Sequence, residues 1–102
     1  MKIWLDGGLQ DIESARVSVF DHGLTVGDGV FETVKATDGE TFALTRHLDR
    51  LTRSARGLGL PDPDLDEVRR GCAAVLDANL HARRHRSAPD HGRPRHAVPA
   101  AL

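Results

Sequence analysis

Hydrophobic and polar residues alternate along short stretches in the first half of the chain, and a period of two predicts β-strands. The predicted strands are Lys2–Leu5, then Leu9 with Ile12–Val19, and Val30–Ala36. Asp38-Gly39 is a residue pair that favours a tight hairpin turn. Thr41–Leu44 is therefore predicted to return beside the third strand as a fourth.

The apolar spacing then changes to that of an amphipathic helix. A stripe recurs at i, i+3, i+7 and i+10, formed by Leu48, Leu51, Ala55 and Leu58. Thr45 can cap the start of this helix through its hydroxyl group. Gly57 and Gly59 weaken its end, and Pro61 stops it.

A second helix is predicted from Asp64, which forms a capping-box pattern with Glu67. Its apolar face consists of Leu65, Val68, Cys72, Val75 and Leu76, and it is expected to end near Asn79. Strands followed by helices indicate the α+β class. The predicted fold is a small antiparallel sheet with a β-hairpin, followed by two packed helices.

Composition changes near residue 80. Residues 1–80 carry nine Lys/Arg and fourteen Asp/Glu, whereas residues 81–102 carry five Arg and one Asp. This basic segment has few large apolar residues and cannot offset its ordering entropy. We therefore divide the chain into a folded domain, 1–79, and a disordered basic tail, 80–102. The unpatterned Arg, His, Pro and Ala of the tail are typical of out-of-frame translation of GC-rich coding sequence, and a shifted reading frame is our hypothesis for it.

At 102 residues, the chain is at most one domain. Its single cysteine, Cys72, excludes an internal disulfide and favours a reducing compartment. No apolar run reaches the roughly 20 residues of a membrane span, and the N-terminus lacks a secretory signal. A cytoplasmic protein without a membrane partner is expected.

Arg50 is the first candidate for chemistry, since it is predicted to lie at the first turn of the helix that follows the hairpin. A guanidinium near a helix N-terminus suits a phosphate or a carboxylate. The alternative is a surface arginine paired with Asp49 or Glu32. Lys35 shares a strand face with Phe31 and could reach a pocket, although exposure near the hairpin end is the usual outcome for a lysine.

The tail contains His81, His85, Asp90, His91 and His96. A zinc site needs ligands held on a folded frame, so no metal site is predicted. The tail arginines could attract nucleic acid electrostatically, but no aromatic residues accompany them, and nucleic acid is not an expected partner.

Several motifs together resemble the small N-terminal domain of the class IV aminotransferases. They are Asp21-His22-Gly23, Gly27-Asp28-Gly29-Val30-Phe31-Glu32, Lys35 and His47-Leu48-Asp49-Arg50-Leu51. This family of fold-type IV pyridoxal-phosphate enzymes includes branched-chain aminotransferases, D-amino acid transaminases and aminodeoxychorismate lyases. The resemblance covers residues 1–79.

The resemblance implies positions for four residues. Arg50 corresponds to the arginine that binds the 5′-phosphate of pyridoxal phosphate, and Phe31 lines the substrate side of the pocket. Val26 and Lys35 lie on that same side, with roles that the resemblance does not define. D-amino acid transaminases tend to have tyrosine in place of Phe31, which makes that member a poorer match. For the full-length relative, the resemblance also implies a homodimer that acts on an amino acid and a keto acid.

The Schiff-base lysine of the family belongs to a larger second domain, so the implied function is that of a truncated aminotransferase, inactive as an isolated chain. Lys35 does not occupy the matching position. The alternatives are an aminodeoxychorismate lyase fragment, an inert truncation product, and a non-enzymatic binding or dimerisation module with a basic nucleic-acid-binding arm.

Overall fold

The computed structural model describes residues 1–84 and 97–101. Its elements are β1 (Lys2–Leu5), β2 (Gly8–Asp11), α1 (His22–Thr25), β3 (Phe31–Thr37), β4 (Glu40–Thr41), α2 (Leu44–Gly57), α3 (Leu65–Arg84) and β5 (Ala97–Ala101). The α+β prediction is confirmed. No helix within the described ranges has both the length and the apolar character needed to cross a membrane.

Two antiparallel hairpins form the strand framework. In the first, β1 pairs with β2, and Lys2 lies opposite Asp11 with an Nζ–Oδ1 distance of 2.8 Å. In the second, β3 pairs with β4 around the predicted turn, where Asp38 has φ +53° and Gly39 has φ +81°. Positive φ at both central residues is what a tight hairpin turn requires, so this prediction is confirmed.

The second predicted strand is confirmed at Leu9 only and is wrong for Ile12–Val19. The partner of β1 is Gly8–Asp11, because the chain reverses earlier, at Asp6 (φ +51°) and Gly7 (φ +83°). That tight turn aligns the residues immediately after it with β1. Residues 15–18, where alternation alone favoured a strand, form neither helix nor strand.

Helix α2 packs on β3 and forms the centre of the core. Val34, Leu48, Leu51 and Ala55 each expose 1% or less of their surface. The predicted stripe is therefore confirmed except at Leu58, which is the C-cap and is 53% exposed. The chain has passed the helix end there, so the helical period no longer directs that side chain toward the sheet.

The start of α2 also differs from the prediction. The helix begins at Leu44, after Ala43 in the left-handed conformation (φ +54°), and no side chain caps it. Thr45 is inside the helix, and its hydroxyl accepts a hydrogen bond from Arg69 of α3 at 3.0 Å. The return strand β4 is consequently two residues long rather than four.

Helix α3 packs against the first hairpin. Its predicted cap is confirmed, since Asp64 Oδ1 accepts a bond from the Glu67 amide at 3.1 Å. The helix continues past Asn79 to Arg84. The Asn79 side chain donates to the Lys2 carbonyl at 2.9 Å and accepts from the Lys2 amide at 3.0 Å, which ties the helix to the outer edge of β1.

The predicted disordered tail contains two segments of regular structure. Besides the last residues of α3, β5 (Ala97–Ala101) pairs antiparallel with β3. The three-stranded order is β4-β3-β5. Residues 85–96 and most of the histidine-rich group lie outside the described residues, and the reading-frame hypothesis stays a prediction.

Candidate functional site

Strand β3 presents two chemically different faces. Glu32 and Val34 are buried against α2, whereas Phe31, Thr33 and Lys35 are exposed on the other face. A strand turns successive side chains to opposite faces, so this alternation follows from the backbone. It places one carboxylate, Glu32, beside the helix that carries Arg50.

Glu32 is 5% exposed, and both of its carboxylate oxygens are hydrogen-bonded. Arg50 Nε donates to Oε1 at 2.6 Å and Arg50 Nη2 donates to Oε2 at 2.7 Å, which is a bidentate pair. His47 Nδ1 lies 2.9 Å from Oε2. Because an ionised carboxylate only accepts hydrogen bonds, His47 carries its proton on Nδ1. Residues three apart on a helix share one face, so both donors reach the same carboxylate.

These contacts explain the electrostatics of the site. The hydrogen bond from Arg50, followed by that from His47, lowers the pKa of Glu32 to about 2, against the opposing effect of burial. The same pairing raises the pKa of Arg50. Glu32 is therefore ionised, and Arg50 charged, throughout the physiological range.

Acid should weaken the fold through this carboxylate. The pKa of Glu32 is about 2 in the folded chain, whereas its ordinary value is 4.5. Ionised Glu32 therefore stabilises the fold at pH values above 4.5. This stability is lost as pH falls toward the folded value. Glu32→Gln should remove this part of the pH dependence and cost about 1 kcal/mol at neutral pH, a charged hydrogen-bond value discounted for the exposed arginine.

Urea unfolding between pH 7 and 2.5 measures this effect. The pKa values of Asp11 and Asp62 are also lowered, by Lys2 and Arg56 respectively, so some acid sensitivity should remain in the variant. Asp62→Asn is the matched control at an exposed ion pair. Equal pH slopes for wild type and Glu32→Gln would contradict the assignment.

An open depression of about 470 Å³ lies along the face of α2 next to this pair. It is lined by Ala43, Arg46, His47, Asp49, Arg50 and Arg53. Three arginines and one aspartate make the lining cationic. Guanidinium groups bind phosphate oxygens through charge-assisted, often bidentate, hydrogen bonds, so this set of donors suits a phosphate group. Among the described residues, no group of acidic, His or Cys side chains could hold a metal ion.

The structure brings together only part of the predicted site. Arg50 contacts Glu32, as expected in the alternative in which it is a surface arginine paired with a carboxylate. The Arg50 side chain remains 60% exposed beside the depression. Phe31, 73% exposed, and Lys35 lie on the opposite face of β3 from this pair. The candidate phosphate and substrate residues therefore face two different sides of the strand.

Glu32 was expected only as an alternative partner of a surface Arg50, and no role was predicted for His47. One signal was available for Glu32, because it is a carboxylate at an inward position of an alternating strand. A buried charge needs a partner, and the nearest helix supplies His47 and Arg50 at helical spacing. The partner set could be identified only once α2 was known to cover β3.

The sequence is similar to known aminotransferases. The family model described as amino-transferase class IV matches residues 29–95, which is more than half of the chain and extends past residue 79. A putative branched-chain-amino-acid aminotransferase of Methanocaldococcus jannaschii is 54% identical over 63 residues, covering 62% of this chain and 22% of that protein. A bifunctional aminodeoxychorismate lyase / D-amino acid transaminase of Mycobacterium tuberculosis is 41% identical over 70 residues, covering 69% and 24%.

A solved structure agrees with these sequence matches. A hypothetical aminotransferase from Mycobacterium tuberculosis in its PLP-bound form superimposes with a TM-score of 0.74 and 27% identity, covering 99% of this chain and 38% of that one. The chain spans between 22% and 24% of the length of the two curated relatives. On the extent of the family match, this chain belongs to the class IV aminotransferases and corresponds to their N-terminal part.

Proposed function

We propose that this chain is the N-terminal part of a pyridoxal-phosphate-dependent aminotransferase that moves an amino group between an amino acid and a 2-keto acid. The observation that carries the proposal is the Arg50 guanidinium, which is fixed by the buried Glu32 at the edge of a cationic depression. The family membership supplies the chemistry for which such a phosphate site is used.

The donor set fits the cofactor's phosphate group. Arg50 would bind it, with Arg46 and Arg53 contributing positive charge from the same helix face. When bound, the cofactor supplies the electron sink for amino-group transfer. Phe31 and Lys35 would contribute to the substrate side from the exposed face of β3. A homodimer in the cytoplasm remains part of the prediction.

The isolated chain should bind the cofactor weakly and without a covalent bond. Its two lysines are poor candidates for a covalent anchor, because Lys2 is paired with Asp11 at 2.8 Å and Lys35 is exposed. A nucleophilic lysine needs burial or a cationic neighbour to lower its pKa. After incubation with pyridoxal phosphate and borohydride reduction, intact-mass measurement should show no stoichiometric adduct, and no transamination should be detected.

Arg50→Gln provides the test of the phosphate assignment. Removing the guanidinium should weaken non-covalent binding of pyridoxal phosphate about tenfold, the scale of one charge-assisted contact. Arg56→Gln is the matched control, because Arg56 lies on the same helix but pairs with Asp62 away from the depression. Equal binding by both variants, or a stoichiometric adduct on Lys35, would contradict the proposal.

One relative favours a second candidate. The Mycobacterium tuberculosis protein that is 41% identical is described as both an aminodeoxychorismate lyase and a D-amino acid transaminase. A lyase that uses the same cofactor is therefore the alternative parent activity. In both candidates, Arg50 would bind the phosphate group of the cofactor.

A further inference from the structure

Arg50 is an exposed side chain held by a single buried partner. Its side chain is 60% exposed, whereas that of Glu32 is 6% exposed. Both of its hydrogen bonds to described residues go to Glu32. Without that carboxylate, no other described contact would fix the direction of the guanidinium.

We propose that Glu32 is a positioning residue, which orients the Arg50 guanidinium so that its remaining N–H groups face a phosphate in the depression. This inference rests on the proposed function, because it takes Arg50 as the phosphate ligand. Glu32 itself would not touch the phosphate. Its effect would pass through the orientation of Arg50.

The geometry shows how the orientation is fixed. Glu32 accepts from Nε and from Nη2, so two parallel bonds define both the plane and the direction of the guanidinium. Three of its five N–H groups remain available, two on Nη1 and one on Nη2. The Nδ1–H group of His47 bonds to the same carboxylate, which restrains Glu32 from the other side.

Two effects of Glu32 on phosphate binding oppose each other. As an anion it repels a phosphate, whereas as an anchor it removes rotamer freedom that an arginine would otherwise lose on binding. A variant with an uncharged residue in place of Glu32 therefore shows which effect dominates, according to whether its phosphate affinity rises or falls. If orientation dominates, E32Q weakens binding even though it removes a negative charge.

Asp49 supplies a matched control for charge alone. It lines the same depression on the same helix, and none of the ion pairs between described residues includes it. D49N removes one negative charge, as E32Q does, without altering the Arg50 pair. We expect D49N to bind phosphate as tightly as wild type or more tightly, and E32Q to bind it about fivefold to tenfold more weakly, the scale of the lost ordering of one arginine.

The experiment is an NMR titration of the 102-residue chain with inorganic phosphate, following the Arg50 Nε–H resonance. In the wild type without phosphate, this proton should be protected from exchange by its bond to Glu32. In E32Q it should exchange rapidly, with the backbone spectrum otherwise preserved. If Glu32 only stabilised the fold and did not orient Arg50, the exchange rate of the Nε–H proton would be the same in E32Q as in the wild type.

The outcomes separate the two proposals. Rapid exchange and weaker phosphate binding in E32Q confirm the positioning role. A protected Nε–H in E32Q, or phosphate affinity equal to that of D49N, overturns it. If the wild type binds no phosphate while E32Q still loses the protection, the phosphate assignment of Arg50 fails, and the orientation by Glu32 stands.

A second variant keeps the test decisive if E32Q does not fold. H47F removes the Nδ1–H donor to Glu32 without changing the charge of Glu32 or Arg50. Looser restraint of the carboxylate should increase Nε–H exchange and weaken phosphate binding about twofold to threefold, in keeping with one lost hydrogen bond. Unchanged exchange and unchanged phosphate affinity in H47F would overturn the restraint of Glu32 by His47.

Discussion

Leu51→Ala should lower the free energy of unfolding by about 3 kcal/mol, within the range for deleting a buried leucine. Leu51 exposes 0% of its surface and lies on the face of α2 that packs on β3. Its neighbours on that face, Leu48 and Ala55, expose 1% and 0%. The substitution removes methyl groups and leaves a cavity that the packed neighbours cannot fill.

Leu58→Ala is the matched control, because it makes the same chemical change at the C-terminal end of the same helix. Leu58 is the C-cap and is 53% exposed, so the cost should be below about 0.5 kcal/mol. Urea unfolding followed by helical circular dichroism measures both values. Similar losses for the two variants would mean that the α2–β3 core is not packed as described.

Gly71→Ala should also destabilise the fold, by about 2 kcal/mol, although alanine is the better helix former. A Cβ added at Gly71 would lie 2.9 Å from both Cγ and Cδ1 of Trp4. Cγ is bonded directly to the Trp4 Cβ, so these atoms can move away only if the ring changes rotamer or β1 shifts. The clash therefore acts on the contact between α3 and the first hairpin.

Gly57→Ala is the matched control, because alanine should be tolerated at this position. Nothing lies within 4 Å of a Cβ added at Gly57, so alanine should be neutral or slightly stabilising there. Trp4 is the single tryptophan of the chain, and its fluorescence should change in the folded state of Gly71→Ala only. If Gly71→Ala were as stable as the wild type, the Trp4 ring could not lie against α3 as described.

Substitution of Trp4 provides a second check on the same contact. In Trp4→Leu the indole ring is absent, so adding Gly71→Ala should cost less than it does in the wild type. Residues in contact give non-additive effects in a double-mutant cycle. Additive losses would contradict the close approach of the two residues.

Local features of the chain were the most predictable. The Asp38-Gly39 turn and the Asp64 cap depend on residues within three positions of each other, and both are confirmed. The strand at Ile12–Val19 was wrong, because alternation indicates a suitable strand but not an available partner. Thr45 is a good capping residue by type, yet the helix starts before it because Ala43 takes up the left-handed turn.

The sequence by itself determined the α+β class, the β3–β4 hairpin, the apolar stripe of α2 and the family resemblance. Each depends on near neighbours or on an ordered set of motifs. Only the tertiary structure decided that Glu32 lies under α2 and pairs with Arg50, 18 residues away, and that Trp4 packs on Gly71. Such pairings depend on which surfaces cover each other. The pattern of one segment carries no information about the segment that will lie against it.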